Sequence, residues 1–371
     1  MAEIIYSKSI GFNNAAIGKL ETPLKMIIEN ESDLCKKKGG VLDWLFNVEK
    51  SNKFGETIQY SDEFATFQHA AEGAGAEKDS MVETFRKFIE HIPFMKEFTI
   101  TKEMLDDSIN GVASDAKRRA QNFVRAYYLT KNKLGSQAIA NGKSKTMTFN
   151  KAVVDLTTAD GEALFSKTHY YGKDTTEDGK TTGGHGKGTQ SNLFGKNRYA
   201  SAHKALTLAD VDDLIAQGAA KIRNIMDENG EVLGYVADTI IIPGNLPLLE
   251  KYVKQVLGSS HEAATANNGI NINYGNWDLV ILPDWQYGLA ANPAEQTYPL
   301  IVMSSEANKN LAGNMFFNRV PLDIKNWEDE HTRNWNWNGY CRFGIGFGTY
   351  KHIALIESYS KTAADSGVTE L

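Results

Sequence analysis

Gly183-Gly184-His185-Gly186-Lys187-Gly188 invites a phosphate-binding reading, because close-set glycines bring backbone N–H groups to an anion and a lysine adds charge. A phosphate loop of the Walker kind needs Gly-x4-Gly-Lys-Ser/Thr, where the hydroxyl after the lysine holds magnesium. Here Gly188 replaces that hydroxyl, Thr181 stands where the first glycine belongs, and no apolar strand leads in. The pattern fails. Gly344-x-Gly346-x-Gly348 lacks the spacing of a dinucleotide fingerprint, and its flanks alternate as a strand does.

His169, His185 and His203 are the side chains a metal-dependent hydrolase would recruit. Glycine-rich sequence separates them, no HExxH is present, and ligand spacing on a helix is missing. There is no Gly-x-Ser-x-Gly elbow. Cys35 and Cys341 are the only cysteines and neither sits in a CxxC, so two free thiols are expected. Asp106-Asp107 and Glu328-Asp329-Glu330 read as solvated caps or hinges. Trp327, Trp335 and Trp337, with Asn334, Asn336 and Asn338 among them, could form a carbohydrate platform. Core packing and subunit contact are favoured instead, since aromatic side chains dominate buried and interface area. No catalytic, cofactor-binding or metal-binding residues are assigned, and no cofactor is expected.

The composition agrees with a protein that does physical work. Hydrophobic residues make up 42% and charged residues 23% of 371, the balance of a soluble globular chain with one large core or two smaller ones. A net charge of -6 argues against tight DNA binding, which draws its free energy from cations that neutralise phosphates. The basic clusters, Lys36-Lys37-Lys38 and Lys117-Arg118-Arg119, are short. Residues 1–18 carry no secretory leader, and the longest apolar runs fall far short of the ~20 residues that span a bilayer. No membrane partner is expected.

The elements follow from periodicity. Residues 1–50 show possible amphipathic turns at Leu24–Ile28 and Val41–Phe46, too little to form a domain, and read as an arm that packs elsewhere. Phe54, Ile58, Tyr60 and Phe64 alternate in an extended ribbon, interrupted by Glu56 and Asp62. After a small-residue tip at Ala70–Ala76, Ser80-x-x-Glu83 makes a capping box ahead of Val82, Phe85, Phe88, Ile89 and Ile92. That favours a short helix, with a return strand as the competing reading. Phe54, Phe64, Phe67, Phe85, Phe88, Phe94 and Phe98 are too many for a solvated excursion over 53–100, so a partner surface is implied.

Phe94–Thr101 alternates as a strand. The longest helix is expected at Ser114–Ala140: positions 116, 120, 123, 124, 127, 134 and 138 are apolar, and Arg118, Arg119, Arg125, Lys131 and Lys133 supply the polar face. Its length would be roughly 40 Å. Residues 166–204 read as a long glycine-rich loop. Thr207-x-x-Asp210 then caps a helix, Val236–Ile242 is a strand stopped by Pro243, and Pro247 opens another helix. Strands follow at Trp277–Leu282 and Tyr298–Met303, which makes 205–320 an α/β unit. Tyr340–Glu357 alternates as strand, and 361–371 is expected to be loose.

Several stretches resemble a known family. Phe94–Ser108 resembles the strand and turn that lead into a spine helix, and Ala163–His169 with its glycine-rich continuation is similar to the segment that follows that helix. Val236–Leu246 and Asn276–Trp285 look like the strand edges of an axial domain, and Gly344–Ile356 resembles a final peripheral strand. Together, over about residues 50–357, they resemble the tailed-bacteriophage major capsid subunit of the Hong Kong 97-type fold, in particular the Mu-like head subunits.

The resemblance implies an α+β chain with an N-terminal arm (1–50) and an extended loop (53–100). The peripheral domain carries the spine helix and glycine-rich loop (101–204), the axial domain is 205–320, and return strands with a tail close the chain (321–371). It also implies pentamers and hexamers that build an icosahedral shell enclosing double-stranded DNA by enclosure and not by specific binding. Scaffolding, portal and decoration proteins are the implied partners, the virion capsid the implied location, and the host bacterial cytoplasm the place of synthesis. The arm and loop leave no room for a cleaved scaffolding segment, so a separate scaffolding protein or none is expected. Some relatives are cross-linked through lysine and asparagine; Lys50, Lys53 and Lys78 lie near the loop without an identifiable partner, and no cross-link is expected. The residues expected to touch a neighbouring copy are Phe54, Ile58, Tyr60, Phe64, Phe67, Phe85 and Phe88. The alternatives are an encapsulin-like compartment around cargo enzymes and the hydrolase already described.

Overall fold

A computed structural model describes residues 4–6, 15–61, 69, 83–103, 112–171, 188–199, 205–228, 230–261, 270–292, 295–361 and 367–371. The chain opens with β1 (Ile4–Tyr6), α1 (Ala15–Lys38), α2 (Val41–Leu45), β2 (Asn47–Lys50), β3 (Gly55–Ser61), β4 (Glu83–Glu90) and β5 (Ile92–Ile100). It continues with α3 (Val112–Ala140), β6 (Thr146–Phe149), β7 (Ala152–Asp155), β8 (His169–Tyr171), β9 (Gly188–Gln190), β10 (Leu193–Asn197) and α4 (Leu208–Arg223). Then come β11 (Thr239–Pro243), α5 (Pro247–Gly258), β12 (Asp278–Leu282), β13 (Tyr298–Met303) and α6 (Ser305–Asn310). Four strands end it: β14 (Asn314–Glu328), β15 (Trp335–Phe347), β16 (Ile353–Tyr359) and β17 (Thr369–Glu370). The chain is α+β and divides into two compact units, one of residues 1–56, 89–135 and 316–345, the other of 57–88, 136–315 and 346–371.

In the first unit a sheet of order β1-β14-β15-β5, with β2 on β14, faces the long helix. β5 runs antiparallel to β15 from Ile100↔Trp335 to Ile92↔Phe343, and Phe94 stacks on Phe343 at 4.7 Å. The apolar stripe of α3 is buried at Ala116, Ala120, Phe123, Val124 and Tyr127, as its spacing requires. Phe123 meets Phe98 at 5.2 Å and sits where Gly339 leaves room in β15, a place any Cβ would fill. Lys131, expected on the polar face, is buried: its ammonium lies 5.3 Å from the centre of the Phe316 ring. Residues 15–38 form one helix of 24 residues where the sequence offered a short amphipathic turn. Tertiary contacts sustain it: Glu31 Oε1 accepts from Arg125 Nε at 2.6 Å, and Ser32 Oγ and Tyr128 Oη share a hydrogen bond of 2.7 Å.

The second unit is built on a six-stranded sheet of order β12-β11-β13-β16-β10-β17. β11 is parallel to β12, β13 is antiparallel to both β11 and β16, and β10 is parallel to β16 and β17. Residues Ile240, Ile242, Leu300, Val302 and Ile356 meet Val211, Leu214 and Ile222 of α4 and Leu249 and Val253 of α5 in one core. Gly218 permits the approach of α4, since a Cβ there would lie 2.6 Å from Ile356 Cδ1 and 2.7 Å from Val302 Cγ2. The Thr207–Asp210 capping box forms as expected.

This sheet reaches beyond the 205–320 stretch. β16, from the expected return strands, lies beside β13, and β10, from within the expected glycine-rich loop, lies beside β16, because their buried faces complete its core. The loop reading of 166–204 is corrected further by β8 and β9, which pair antiparallel; 172–187 and 200–204 lie outside the described residues. The tail is corrected too. Val368 is buried and Leu371 N donates to Gly195 O at 3.0 Å, so residues 367–371 are docked by edge pairing that a polar composition conceals.

Candidate interaction surface

β3 and β4 pair as a two-stranded ribbon, so residues 83–90 are strand and not the capped helix expected. The spacing of Phe85, Phe88, Ile89 and Ile92 imitates a helical stripe, but the burial alternates. Lys87 and Ile89 are buried, whereas Arg86, Phe88 and Glu90 are exposed. Ser80 lies outside the described residues.

The phenylalanines expected to face a neighbour therefore divide. Phe88 points outward, 50% exposed, flanked on its face by Arg86 and Glu90. Phe54 is 62% exposed, yet the Arg342 guanidinium covers one side of its ring at 5.1 Å. Ile58 is half-buried. Phe85 is half-buried and lines a small cavity with Thr158, Asp160, Tyr170 and Tyr350, so it packs within its own unit. The backbone of Tyr60 belongs to β3; Phe64 and Phe67 lie outside the described residues.

A two-stranded ribbon is marginal in water and needs anchoring. Lys87 supplies it: the buried ammonium donates to Asp155 Oδ2 and, at 2.6 Å, to Thr157 Oγ1. Burial works against the Asp155 carboxylate, but the Lys87 and Thr157 donors hold its pKa below the ordinary carboxylate range. Sequence reading missed Lys87, although its place between Phe85 and Ile89 in an alternating strand was the available signal.

Behind Phe85 is a buried polar network. His169 is buried, with Nδ1 2.8 Å from Asp160 Oδ2 and Nε2 3.1 Å from Asn192 Oδ1, and its ring stacks on Tyr350 at 3.8 Å. Both ring nitrogens are engaged by partners within the unit, so His169 is packed as a structural residue and not set out as the ligand on which the hydrolase reading leaned. His185 and His203 lie outside the described residues. Burial opposes the Asp160 carboxylate, and the His169 ring, the Thr158 hydroxyl and the Glu162 N–H together outweigh it, drawing the pKa down. Lys351 and Glu228 form a buried ion pair of 2.5 Å nearby.

Burial pushes the Cys341 thiol up to about 12 and the His352 imidazole down to about 3. Cys35 and Cys341 are both free. Among the described residues, no group of three His, Cys, Asp or Glu side chains is placed to hold a metal ion. Trp335 and Trp337 are buried, and Trp337 stacks on Phe98 at 5.9 Å, which makes them core residues and not a sugar platform. No described helix is long and apolar enough to cross a membrane.

A second exposed apolar set belongs to the second unit. Ile270 and Ile272 are 82% and 78% exposed, and Tyr274 and Leu289 are also open. The alternation Ile270-Asn271-Ile272-Asn273-Tyr274 was the signal for it.

No protein-family model matches the sequence, and no curated protein matches it. Solved structures that are similar include the capsid of cyanophage P-SCSP1u, at 12% identity and a TM-score of 0.48, over 86% of this chain and 87% of that one. The capsid of Ralstonia phage GP4 has 11% identity and a TM-score of 0.46, over 86% and 88%. A structure of Mycobacterium phage Patience has 14% identity and a TM-score of 0.42, over 98% and 92%. Overlaps this loose leave the weight on the chain's own residues.

Proposed function

We propose that this chain is a shell-forming subunit, the major capsid protein of a tailed phage with the Hong Kong 97-type fold. Its copies join as pentamers and hexamers into an icosahedral shell around double-stranded DNA. The observation that carries the reading is the β3–β4 ribbon, which turns Phe88 outward while Lys87 and Ile89 hold its other face. An apolar side chain fixed on an anchored projection is placed to bury itself in something else.

The other parts suit the same role. Residues 1–50, with α1, serve as the arm, 53–100 as the extended loop, and α3 as the spine helix of a peripheral domain over 101–204 and 321–371. Residues 205–320 form the axial domain, and the open Ile270, Ile272 and Tyr274 lie within it. Each subunit spreads modest contacts over several neighbours, and closure of a capsomer makes them act together. The acidic balance suits a wall that encloses DNA without gripping it. Scaffolding, portal and decoration proteins are the further partners of such a wall, the virion capsid its location and the host bacterial cytoplasm its place of synthesis. It performs no catalysis.

Removal of residues 56–92 tests this. The shortened chain should remain a soluble monomer or a lone capsomer, and closed shells seen by electron microscopy would refute the loop assignment. Nuclease-protected DNA in particles of the intact chain supports the phage reading; a co-purifying enzyme would point to a cargo compartment.

A further inference from the structure

The chain leaves the first unit after Glu56 and returns at Ile89. Both crossing points are fastened by one knot of side chains inside that unit. Ser51 is buried; its N–H donates to Asn318 O at 3.3 Å and its Oγ to Glu56 Oε1 at 2.7 Å. Lys53 Nζ donates to Glu56 Oε2 at 3.1 Å. His91 joins the two strands, its Nδ1–H donating to Lys53 O at 3.2 Å while its own carbonyl accepts from Arg342 Nε at 3.0 Å. The same Arg342 covers Phe54.

His91 is 1% exposed, and its Nε2 is buried without a hydrogen-bond partner among the described residues. The ring is wedged between Phe317, at 6.2 Å edge-on, and Gly344, where a Cβ would come within 2.7 Å of His91 Cδ2. With Nδ1 donating, the unpartnered Nε2 is an acceptor, and the ring is neutral. A second proton would create a buried N–H with no acceptor among the described residues, in reach of a guanidinium.

We infer that this knot is an acid-released clasp, in which protonation of His91 frees residues 51–56 and 89–91, and with them the root of the β3–β4 ribbon. The charged groups bearing on the ring are Arg342 from β15 and Glu56 from β3, while Phe317 from β14 is uncharged and the Lys53 ammonium is turned to Glu56. Burial disfavours the imidazolium most and Arg342 adds to it. The Lys53 and Phe54 carbonyls and the Glu56 carboxylate favour it, and the balance is a lowered pKa. The folded state thus binds this proton more weakly than the unfolded chain. The clasp is complete above the ordinary histidine range and weakens as pH falls through it. His169 and His352, the other deeply buried histidines described, belong to the second unit; the His352 pKa is lowered to about 3, so what it loses as pH falls weakens that unit and not the clasp. The clasp does not depend on the chain's being a capsid subunit, and either reading can fail alone.

Hydrogen–deuterium exchange of the full-length chain between pH 7.5 and 5.0, corrected for intrinsic rates, tests the clasp. Amides in 51–56 and 89–91 should lose protection about tenfold at pH 5.0, beyond any change in β11 and β13. His91→Gln, which keeps a donor for Lys53 O and cannot titrate, should abolish the difference. Protection unchanged at pH 5.0, loss shared equally by β11 and β13, or an undiminished response in the variant would each overturn the clasp. Should the variant not fold, the pH series on the natural chain decides alone by the first two outcomes.

Discussion

Lys87 and Phe88 are neighbours in β4 that face opposite ways, and their substitutions should fail in opposite ways. Lys87→Met removes the donor shared by Asp155 and Thr157 from a buried position. Because Asp155 is itself about half exposed, the ion-pair part is discounted, and a loss of about 1–2 kcal/mol in urea denaturation is expected, chiefly from the hydrogen bonds. Phe88→Glu changes an exposed side chain and should leave the subunit's denaturation midpoint within about 0.5 kcal/mol of the natural chain. It should nonetheless abolish particles in size-exclusion chromatography, because the proposed contact would then bury a carboxylate. A Phe88→Glu chain that assembles normally removes Phe88 from the interface; one that unfolds shows that the side chain belongs to the subunit's own core.

Among the elements, α4 was legible because two independent signals coincide: the Thr207–Asp210 box and an apolar stripe at Val211, Leu214, Ile215 and Ile222. Thr207→Ala should cost about 1 kcal/mol, or about 3 °C in thermal denaturation, and no change would mean that the cap is not formed in solution. α3 was legible for the same reason of period, except at Lys131, where burial depends on the distant Phe316 ring and not on helix register. β4 was misread because apolar residues three and four apart satisfy a helix as well as a ribbon, and only pairing with β3 decides. α1 was missed because its stability lies in the Glu31–Arg125 and Ser32–Tyr128 contacts with a helix about ninety residues away. The order β13-β16-β10-β17 was illegible for a related reason: neighbours far apart in sequence, antiparallel or parallel, leave no local mark. Of the interaction surface, the out-and-back excursion and its surplus of phenylalanine were readable from composition and from the alternation of Phe54, Ile58, Tyr60 and Phe64, while the outward turn of Phe88 needed the strand pairing of β4. The inward turn of Phe85 and the His91 clasp were not readable, since they depend on partners in Tyr350, Lys53 and Arg342.

At the scale of the whole molecule, two compact units each complete a core, yet Phe88, Ile270 and Ile272 stay in water. In the proposed shell, copies would cover one another's exposed residues, and a closed lattice of equivalent contacts would leave none of the sites empty. Negative-stain electron microscopy of the purified full-length protein puts the matter most directly. Closed, uniform shells built of five- and six-membered rings are predicted. A field of small separate particles, together with the sedimentation of a single 41.1 kDa chain at micromolar concentration, would contradict the account at its centre.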